Sequence, residues 1–167
     1  REAGCDVQSG AESIRLRRDG PLQGVRPVRT APYPGFPTDA QAPLMAALTR
    51  GKGCTVFVEN IFESRYRHVD ELSRMGADIR VWGRSAVVTG CPLYGQRVES
   101  TDLRGGAALV VAALGAEERQ IILLHAVTGL KHREIAGLME LPLATVLSKY
   151  RRALLKLKTK LEGGDAL

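Results

Sequence analysis

The sequence is poor in cysteine and contains no long hydrophobic run. Its three cysteines, Cys5, Cys54 and Cys91, are scattered and form no CxxC pair, so the pattern predicts neither a disulfide framework nor a metal site. No apolar run approaches the roughly 20 residues that a membrane span requires, and no signal peptide is visible. We therefore expect a reduced, cytoplasmic protein with no cofactor and no membrane partner.

What is present indicates a folded protein with an anionic partner. The chain has 167 residues, of which 44% are hydrophobic, which is enough for a real core in one domain or two small ones. The net charge of +6 favours partners such as nucleotide-sugar phosphates or DNA. Because the chain begins at Arg1 and not at a methionine, we expect a fragment, a processed product or a trimmed chain.

Residues 1–116 mix strand-like and helix-like patterns, which predicts an α+β fold with helices on one side of a mixed sheet. Helices are predicted over 39–48, 69–75 and 102–114, the first capped by Thr38 or Asp39 and the third by Thr101 or Asp102. Strands are predicted at 12–18 (half-buried), 24–30 (an edge strand), 54–58, 78–82, 86–89 and 97–100, with a hairpin at 83–85.

The stretch TAPYPGFPTD at 30–39 stands out from the rest of this part. Three prolines and a glycine hold its backbone extended, and helical periodicity begins where it ends. The pattern places the Asp39 carboxylate at a helix N-terminus. There it is either a capping residue or a functional group at the mouth of a stiff loop.

Three further stretches follow in order: IFESRYRHV at 61–69, ELSRMGA at 71–77 and TDLR at 101–104. With FPTD, they resemble the UDP-N-acetylglucosamine 1-carboxyvinyltransferases, enolpyruvyl transferases that use phosphoenolpyruvate and open peptidoglycan synthesis. The resemblance covers 1–116. It implies a fold of inside-out βαβαββ repeats, of which this chain would hold one complete repeat and part of another.

The resemblance also implies a substrate site. Asp39 would contact the sugar nucleotide and act as general base toward its 3-hydroxyl, and Ile61 would line the pocket. Arg65 and Arg104 would offer fixed charge to phosphate or carboxylate. Three neighbours in the same motifs complete the implied substrate-binding set: Phe62, Asp102 and Leu103. Taken without the resemblance, the two arginines are ordinary surface charge and Ile61 is a core residue.

The chain departs from this family in ways that affect activity. The family's catalytic cysteine loop, its phosphoenolpyruvate-binding lysine and a later arginine have no counterpart here. We therefore expect no turnover and only weak, half-site binding of UDP-N-acetylglucosamine. Gly105 and Gly106 replace the alanine and serine that follow the family's Asp-Leu-Arg, and glycine disfavours the first turn of a helix.

From residue 117 the pattern becomes wholly helical, so we place a domain boundary between 116 and 117, a helical domain at 117–163 and a tail at 164–167. Helices are predicted from 117 to Gly129, over 133–139, and from Pro142 through 161. The motifs ERQIILL at 118–124, GLKHREIA at 129–136 and LPLATVLSK at 141–149 resemble region 4 of sigma-70 factors of the extracytoplasmic-function type. The resemblance implies a helix-turn-helix whose recognition helix begins at Leu143.

The predicted recognition helix is strongly basic. Residues 142–161 contain six lysines and arginines and no acid, which suits duplex DNA through counterion release, although a solvated basic face has the same pattern. RNA polymerase is a further candidate partner. Leu147 stands where the family often has a basic residue. The expected DNA contacts are Thr145, Ser148 and Lys149 to base edges or phosphates, and Arg151 and Arg152 to phosphates. The expected helix-packing residues are Ile135, Leu138, Val146, Tyr150 and Leu154.

Three hypotheses follow. The chain is part of a carboxyvinyltransferase, inactive alone and fused to a DNA-binding module. Alternatively, it is a sigma-factor-like protein acting in transcription initiation, carried on an enzyme-derived domain. In the third hypothesis, the two halves were joined by an assembly error, a frameshift or engineering. Amplification of the native locus across the junction separates the third hypothesis from the others.

Overall fold

The computed structural model describes residues 1–100, 102–126 and 129–161. Within it the chain divides into two compact units, Arg1–Ala112 and Ala113–Leu167, with the division a few residues before the boundary predicted from sequence. The predicted cap Thr101, the C-terminal end of the first predicted helix of the second unit, and the tail 164–167 lie outside the described residues.

The first unit opens with an antiparallel hairpin of β1 (Asp6–Ser9) and β2 (Ile14–Arg17). The predicted strand is therefore confirmed, but its half-buried character is wrong. Ile14 is 76% exposed and Leu16 65% exposed. The alternation of apolar and polar residues is real, yet no element covers the apolar side within the described residues.

A four-stranded mixed sheet forms the centre of the first unit. Its strands are β3 (Val28–Arg29), β4 (Cys54–Val58), β5 (Asp78–Trp82) and β6 (Ser85–Thr89), in the spatial order β3-β4-β6-β5. β3 runs parallel to β4, and the other neighbours are antiparallel. The edge position predicted for the strand at 24–30 is confirmed, although only Val28–Arg29 of that range is strand and Pro27 precedes it. The predicted hairpin between β5 and β6 is confirmed as well.

Two helices pack on one face of this sheet. They are α1 (Gln41–Leu48) and α2 (His68–Arg74), so the order from β3 to β6 is β-α-β-α-β-β. Both helices contribute to one hydrophobic cluster with β4 and β6, made up of Met45, Leu48, Phe57, Tyr66, Val69, Ala86 and Val88. Helices on one side of a mixed sheet were predicted, and this cluster shows how they are held.

Two local predictions in this unit are wrong. Neither Thr38 nor Asp39 caps α1 with its side chain; residues Thr38–Ala40 instead form a single 3₁₀ turn that leads into the helix. Residues 97–100 form no strand. Val98 is buried there, and the Glu99 amide bonds the Glu71 carboxylate at 3.0 Å, so the segment is anchored by single contacts and not by a strand ladder.

Helix α3 (Leu103–Ala113) begins in spite of its two glycines. Asp102 caps it, as predicted, because its Oδ1 accepts the amides of Arg104 at 2.8 Å and Gly105 at 2.9 Å. A side chain at Gly106 would meet Ser100 Oγ at 2.6 Å. The close approach of Ser100 therefore explains the presence of a glycine at position 106, which helix propensity alone does not explain.

The second unit contains α4 (Ala116–Ala126), α5 (His132–Leu138) and α6 (Leu143–Leu161). Its core is a cluster of Ile121, Ile135, Ala136 and Val146, with Tyr150 and others packed around it. Two of the predicted packing residues are exposed instead, Leu138 by 62% and Leu154 by 43%. α5 is short, so only its Ile135–Ala136 side reaches the other two helices.

Among the residues that the structure describes, no helix combines the length and the apolar character needed to cross a membrane.

Candidate substrate cleft and nucleic-acid interface

The 3₁₀ turn before α1 presents Asp39 at the surface of the first unit. Its carboxylate forms an ion pair with the guanidinium of Arg104, which comes from the first turn of α3. The hydrogen bond from Arg104 is the main reason that the pKa of Asp39 is below its usual value, and the nearby charge of Arg65 adds to it. Asp39 is therefore a carboxylate at neutral pH, and an arginine holds it.

A small cleft of about 10 Å³, room for about one water molecule, lies beside this ion pair. Its walls come from the 3₁₀ turn, α1, the start of α2 and the start of α3. They consist of Thr38, Gln41, Ala42, Arg65, His68, Asp102 and Arg104. The amide of Gly105 is the main cause of the lowered pKa of Asp102, and the amide of Arg104 contributes. Asp102 thus lines the cleft as an ionised helix cap.

The segment after β4 supplies the predicted substrate residues Ile61, Phe62 and Arg65, and α3 supplies Leu103. The Arg65 guanidinium stacks 4.3 Å from the centre of the Phe62 ring, a cation–π distance. Ile61 is half-buried, whereas Leu103 is 86% exposed. The structure therefore brings Arg65, Asp102 and Arg104 around one cleft, with Asp39 paired to Arg104 beside it. It places Phe62 against Arg65 and leaves Leu103 in solvent.

Sequence reasoning missed Glu59, which follows β4 and is 1% exposed. Its Oε1 accepts hydrogen bonds from Thr30 Oγ1 at 2.9 Å, from the Ile61 amide at 2.8 Å and from the Phe62 amide at 3.1 Å. Its Oε2 accepts one from Thr38 Oγ1 at 2.8 Å. Burial alone would raise the pKa of Glu59, but these donors, led by Thr38, hold it below the usual value. The one sequence signal for Glu59 was the position of an acidic residue directly after an apolar strand.

His68 was missed as well, although it lies within the motif at 61–69. It lines the cleft, is 2% exposed, and its Nε2 has no hydrogen-bond partner in the described structure. Burial lowers the pKa of His68, while the charge of Asp102 and a hydrogen bond with the Arg65 backbone oppose this. The cleft therefore contains a neutral imidazole at neutral pH.

No metal site accompanies these groups: across residues 1–100, 102–126 and 129–161, no cluster of three or more His, Cys, Asp or Glu side chains is placed to hold an ion.

In the second unit, two acids of α4 neutralise part of the basic helix α6. Lys149 Nζ lies 2.6 Å from Glu117 Oε2, and its side chain is only 24% exposed. Lys156 Nζ donates to both oxygens of Glu118, at 2.9 and 2.7 Å. The hydrogen bond from Lys156 is the main cause of the lowered pKa of Glu118. Lys149 is therefore engaged within the protein before any DNA is present.

The other predicted DNA contacts are more accessible. Ser148, Arg151 and Arg152 are exposed, and Thr145 is half-buried. The connection between α5 and α6 is a tight turn in which Glu140 has a positive φ of 54°. Four residues, 139–142, connect α5 to α6, and a helix-turn-helix uses a turn of three or four residues.

Behind this face lies an aromatic cluster. The rings of His125 and His132 stack with centroids 4.5 Å apart, and the Tyr150 ring meets both edge-on at 5.1 and 4.4 Å. His125 Nδ1 also lies 2.9 Å from the carbonyl oxygen of Leu130. This cluster ties α4 and α5 to α6 and fixes the register of the basic helix.

Comparison of structures gives the class of the first unit. The enolpyruvyl transferase NikO from Streptomyces tendae superposes with a TM-score of 0.59 at 28% identity, covering 66% of this chain and 26% of that protein. The architecture and the cleft thus define an α+β protein with an enolpyruvyl transferase fold. The chain belongs to the family of EPSP synthase (3-phosphoshikimate 1-carboxyvinyltransferase), whose model matches residues 1–130.

Similar sequences point to one branch of that family. The chain is 54% identical over 118 residues to UDP-N-acetylglucosamine 1-carboxyvinyltransferase of Desulfofundulus thermocisternus, covering 70% of this chain and 48% of that protein. It is 49% identical over 117 residues to the enzyme of the same name from Clostridium botulinum, covering 70% of this chain and 28% of that protein. The chain therefore spans half or less of the length of these relatives.

A second family model, sigma-70 region 4, matches residues 108–157. It overlaps the first model across the end of α3 and all of α4. Both resemblances read from the sequence are thus confirmed.

Proposed function

We propose that the first unit binds UDP-N-acetylglucosamine in the cleft beside Asp39. The observation that supports this proposal is the convergence of Asp39, Arg65, Asp102 and Arg104 from three separate segments. The β-α-β-α-β-β order from β3 to β6 fits one complete repeat of the inside-out fold that the resemblance implies. In this proposal the cleft is half of a substrate site.

The ion pair between Asp39 and Arg104 limits the proposed general base. A carboxylate whose pKa is lowered by an arginine is a poor proton acceptor. An anionic ligand that competes for the Arg104 guanidinium would release Asp39 and raise its pKa toward the usual value. Ligand binding and base activation would thus be coupled at this pair.

We also propose that these 167 residues bind the nucleotide weakly and do not turn it over. The chain covers 28–48% of the two relatives' lengths, and a good site buries about 70–90% of its ligand. Calorimetric titration should give a dissociation constant well above micromolar. Asp39→Ala should weaken binding and raise this constant further. Asp19→Ala removes an exposed aspartate elsewhere in the unit and serves as the control. A micromolar constant would contradict the half-site proposal.

Turnover has its own assay. Phosphate release from phosphoenolpyruvate should not depend on added UDP-N-acetylglucosamine. Nucleotide-dependent release that disappears in Asp39→Ala would show that the chain is an active enzyme.

A specific observation supports a second function, binding of duplex DNA by the second unit. The α5–α6 turn and the exposed Arg151 and Arg152 suit a recognition helix whose cations contact phosphates. The wider proposal is a fusion of an enzyme-derived domain and a DNA-binding module, with RNA polymerase as a further candidate partner in a sigma-factor-like role.

Fluorescence anisotropy at several salt concentrations tests DNA binding, with a promoter-like duplex and a scrambled one. Arg151→Ala with Arg152→Ala should weaken binding to both duplexes alike. Each lost phosphate contact should lower the slope of log affinity against log salt by ~0.9. Thr145→Ala should instead reduce the preference for the promoter-like duplex. If neither duplex binds at low salt, or if the double variant binds like the parent, the second function fails.

A further inference from the structure

Glu59 is the most heavily hydrogen-bonded side chain near the cleft, yet it does not line the cleft itself. Both of its oxygens are occupied, Oε1 by three donors and Oε2 by Thr38 alone among the described contacts. With 1% of its surface exposed, the carboxylate has no solvent to exchange these donors with. A buried acid is stable only when such donors compensate its lost hydration.

The four donors come from segments that are far apart in the sequence. Thr38 immediately precedes Asp39 in the 3₁₀ turn, and the amides of Ile61 and Phe62 begin the segment that carries Arg65. Thr30 lies at the start of the proline-rich stretch, and its hydroxyl also accepts the Asn60 amide at 2.8 Å. One carboxylate therefore joins the start and the end of the loop at 30–39 to the segment after β4.

We propose that Glu59 is a positioning residue for the nucleotide-sugar site, holding the turn that carries Asp39 in register with the segment that carries Phe62 and Arg65. This inference rests on the proposed function of the first unit. Glu59 does not line the cleft, so it acts through Thr38 and through the two amides. Its lowered pKa is consistent with this role, since an ionised carboxylate can accept all four bonds.

The asymmetry between the two oxygens allows the role to be tested. A glutamine at this position can keep its carbonyl oxygen at the Oε1 place, where three donors meet, and turn its amide nitrogen to Thr38, whose hydroxyl can also accept. Glu59→Gln should therefore rescue what Glu59→Ala loses. Thr38→Val removes the Oε2 link and leaves the other three bonds in place. Because Thr38 also lines the cleft, its effect on binding is attributed to Glu59 only if Glu59→Ala, which leaves the cleft residues unchanged, shows at least the same loss.

Thr55→Val is a matched control for Thr38→Val. Thr55 lies in β4, is 2% exposed, and accepts the Val25 amide at 2.9 Å, so its replacement also removes one hydroxyl and one hydrogen bond. Among the described residues its hydroxyl bonds neither Glu59 nor a cleft residue, and any general effect of a lost hydroxyl appears in both variants. Only Thr38→Val breaks the connection to Asp39.

The experiment titrates UDP-N-acetylglucosamine into the full chain and its four variants, with thermal unfolding recorded in parallel. Thr38→Val should weaken binding about tenfold, as expected for a lost bond to a charged group, whereas Thr55→Val should leave binding within about twofold. Glu59→Gln should bind within about threefold of the parent, and Glu59→Ala should bind much more weakly. Amide exchange without ligand should show Ile61 and Phe62 protected in Glu59→Gln and unprotected in Glu59→Ala.

Two results overturn the inference alone: equal binding by Thr38→Val and Thr55→Val, or equal losses for Glu59→Gln and Glu59→Ala. A parent chain that does not bind the nucleotide overturns the proposed function and, with it, this role. The two failures are distinguishable because the second appears before any variant is compared.

Discussion

The two units each bury a carboxylate, and they compensate it in different ways. Glu59 in the first unit is 1% exposed and is held by neutral donors, two hydroxyls and two amides. Glu118 in the second unit is 6% exposed and is held by the ammonium of Lys156, whose side chain is 44% exposed. Dipoles in fixed positions surround Glu59, whereas the flexible side chain of Lys156 forms an ion pair with Glu118.

This difference bears on what each acid does. Neutral donors from the backbone and from short side chains have few conformations, so the Glu59 network fixes loop geometry. A lysine reaching from α6 can turn to water when its partner is lost. The Glu118 pair therefore neutralises charge between two helices and specifies little geometry. A binding cleft needs the first arrangement, whereas a helical unit tolerates the second.

The largest expected effect comes from removing each acid. Glu59→Leu leaves four donors without a partner, and we expect a loss of ~2–4 kcal/mol in the free energy of unfolding of the first unit. Glu118→Leu leaves Lys156, which can be solvated, and the Gly115 amide, whose bond to Glu118 Oε2 is long at 3.4 Å, so the second unit should lose under ~1 kcal/mol. Urea unfolding separates the two, because Trp82, the one tryptophan in the sequence, reports the first unit and far-ultraviolet circular dichroism weights the helices. Equal losses would remove the distinction.

A smaller effect should follow from removing the cation. Lys156→Met leaves the Glu118 carboxylate with no ammonium partner, and we expect a loss of ~1–2 kcal/mol in the second unit, less than for a fully buried pair because Lys156 is partly exposed. The double variant Lys156→Met with Glu118→Leu should recover most of the lost free energy of unfolding. Arg151→Met, at an exposed position of the same helix, is the control. A Lys156→Met chain as stable as the parent would mean that the pair contributes nothing.

The third effect concerns DNA affinity. Glu117→Gln breaks the ion pair that holds Lys149, so the ammonium becomes available to a phosphate. Anisotropy at low salt should show that the variant binds duplex DNA a few times more tightly than the parent. The slope of log affinity against log salt should be steeper by up to ~0.9. Glu140→Gln changes the net charge equally without touching Lys149. If both variants gain equally, the effect is one of overall charge and not of the pair.

The smallest effect is the dependence of stability on pH. Burial lowers the pKa of His68 and of His132, the latter further through the neighbouring His125. The unfolded chain then binds protons first, so stability is present above the usual value of 6.5 and is lost as the pH falls below it. His68→Asn should flatten the pH profile of the first unit alone, and His132→Gln that of the second. A profile unchanged in both variants would refute this assignment.

The elements of the fold were largely predictable because their signals are local. The alternation in β4 and β5 and the helical spacing in α1 and α6 each identify a strand or a helix from its own residues. The turn residues did the same for the β5–β6 hairpin. Local patterns gave wrong predictions where burial or strand formation depends on another element of the fold. Leu138 has the spacing of a core residue, yet it is exposed, and residues 97–100 have no neighbouring strand in the part of the chain that the structure describes.

The candidate sites were predictable to the same extent: single residues were found from local motifs, and the contacts between them were not. Asp39 and Arg104 were predicted singly from their motifs, but their ion pair joins residues far apart in the chain and no spacing indicates it. The acid-free run in α6 predicted a free basic face, whereas Glu117 and Glu118 of α4 cover two of its lysines. Glu59 was missed because a carboxylate after a strand shows nothing of the donors that will surround it.

The position of β5 has a consequence for the behaviour of the chain in concentrated solution. β5 is an outer strand of the sheet, and it carries the exposed side chains Val81 and Trp82. An outer strand of this kind can pair with the same strand of another molecule. Asp78 and Arg80, which form an ion pair with each other, place charge on that edge. Charged side chains on an outer strand disfavour such pairing.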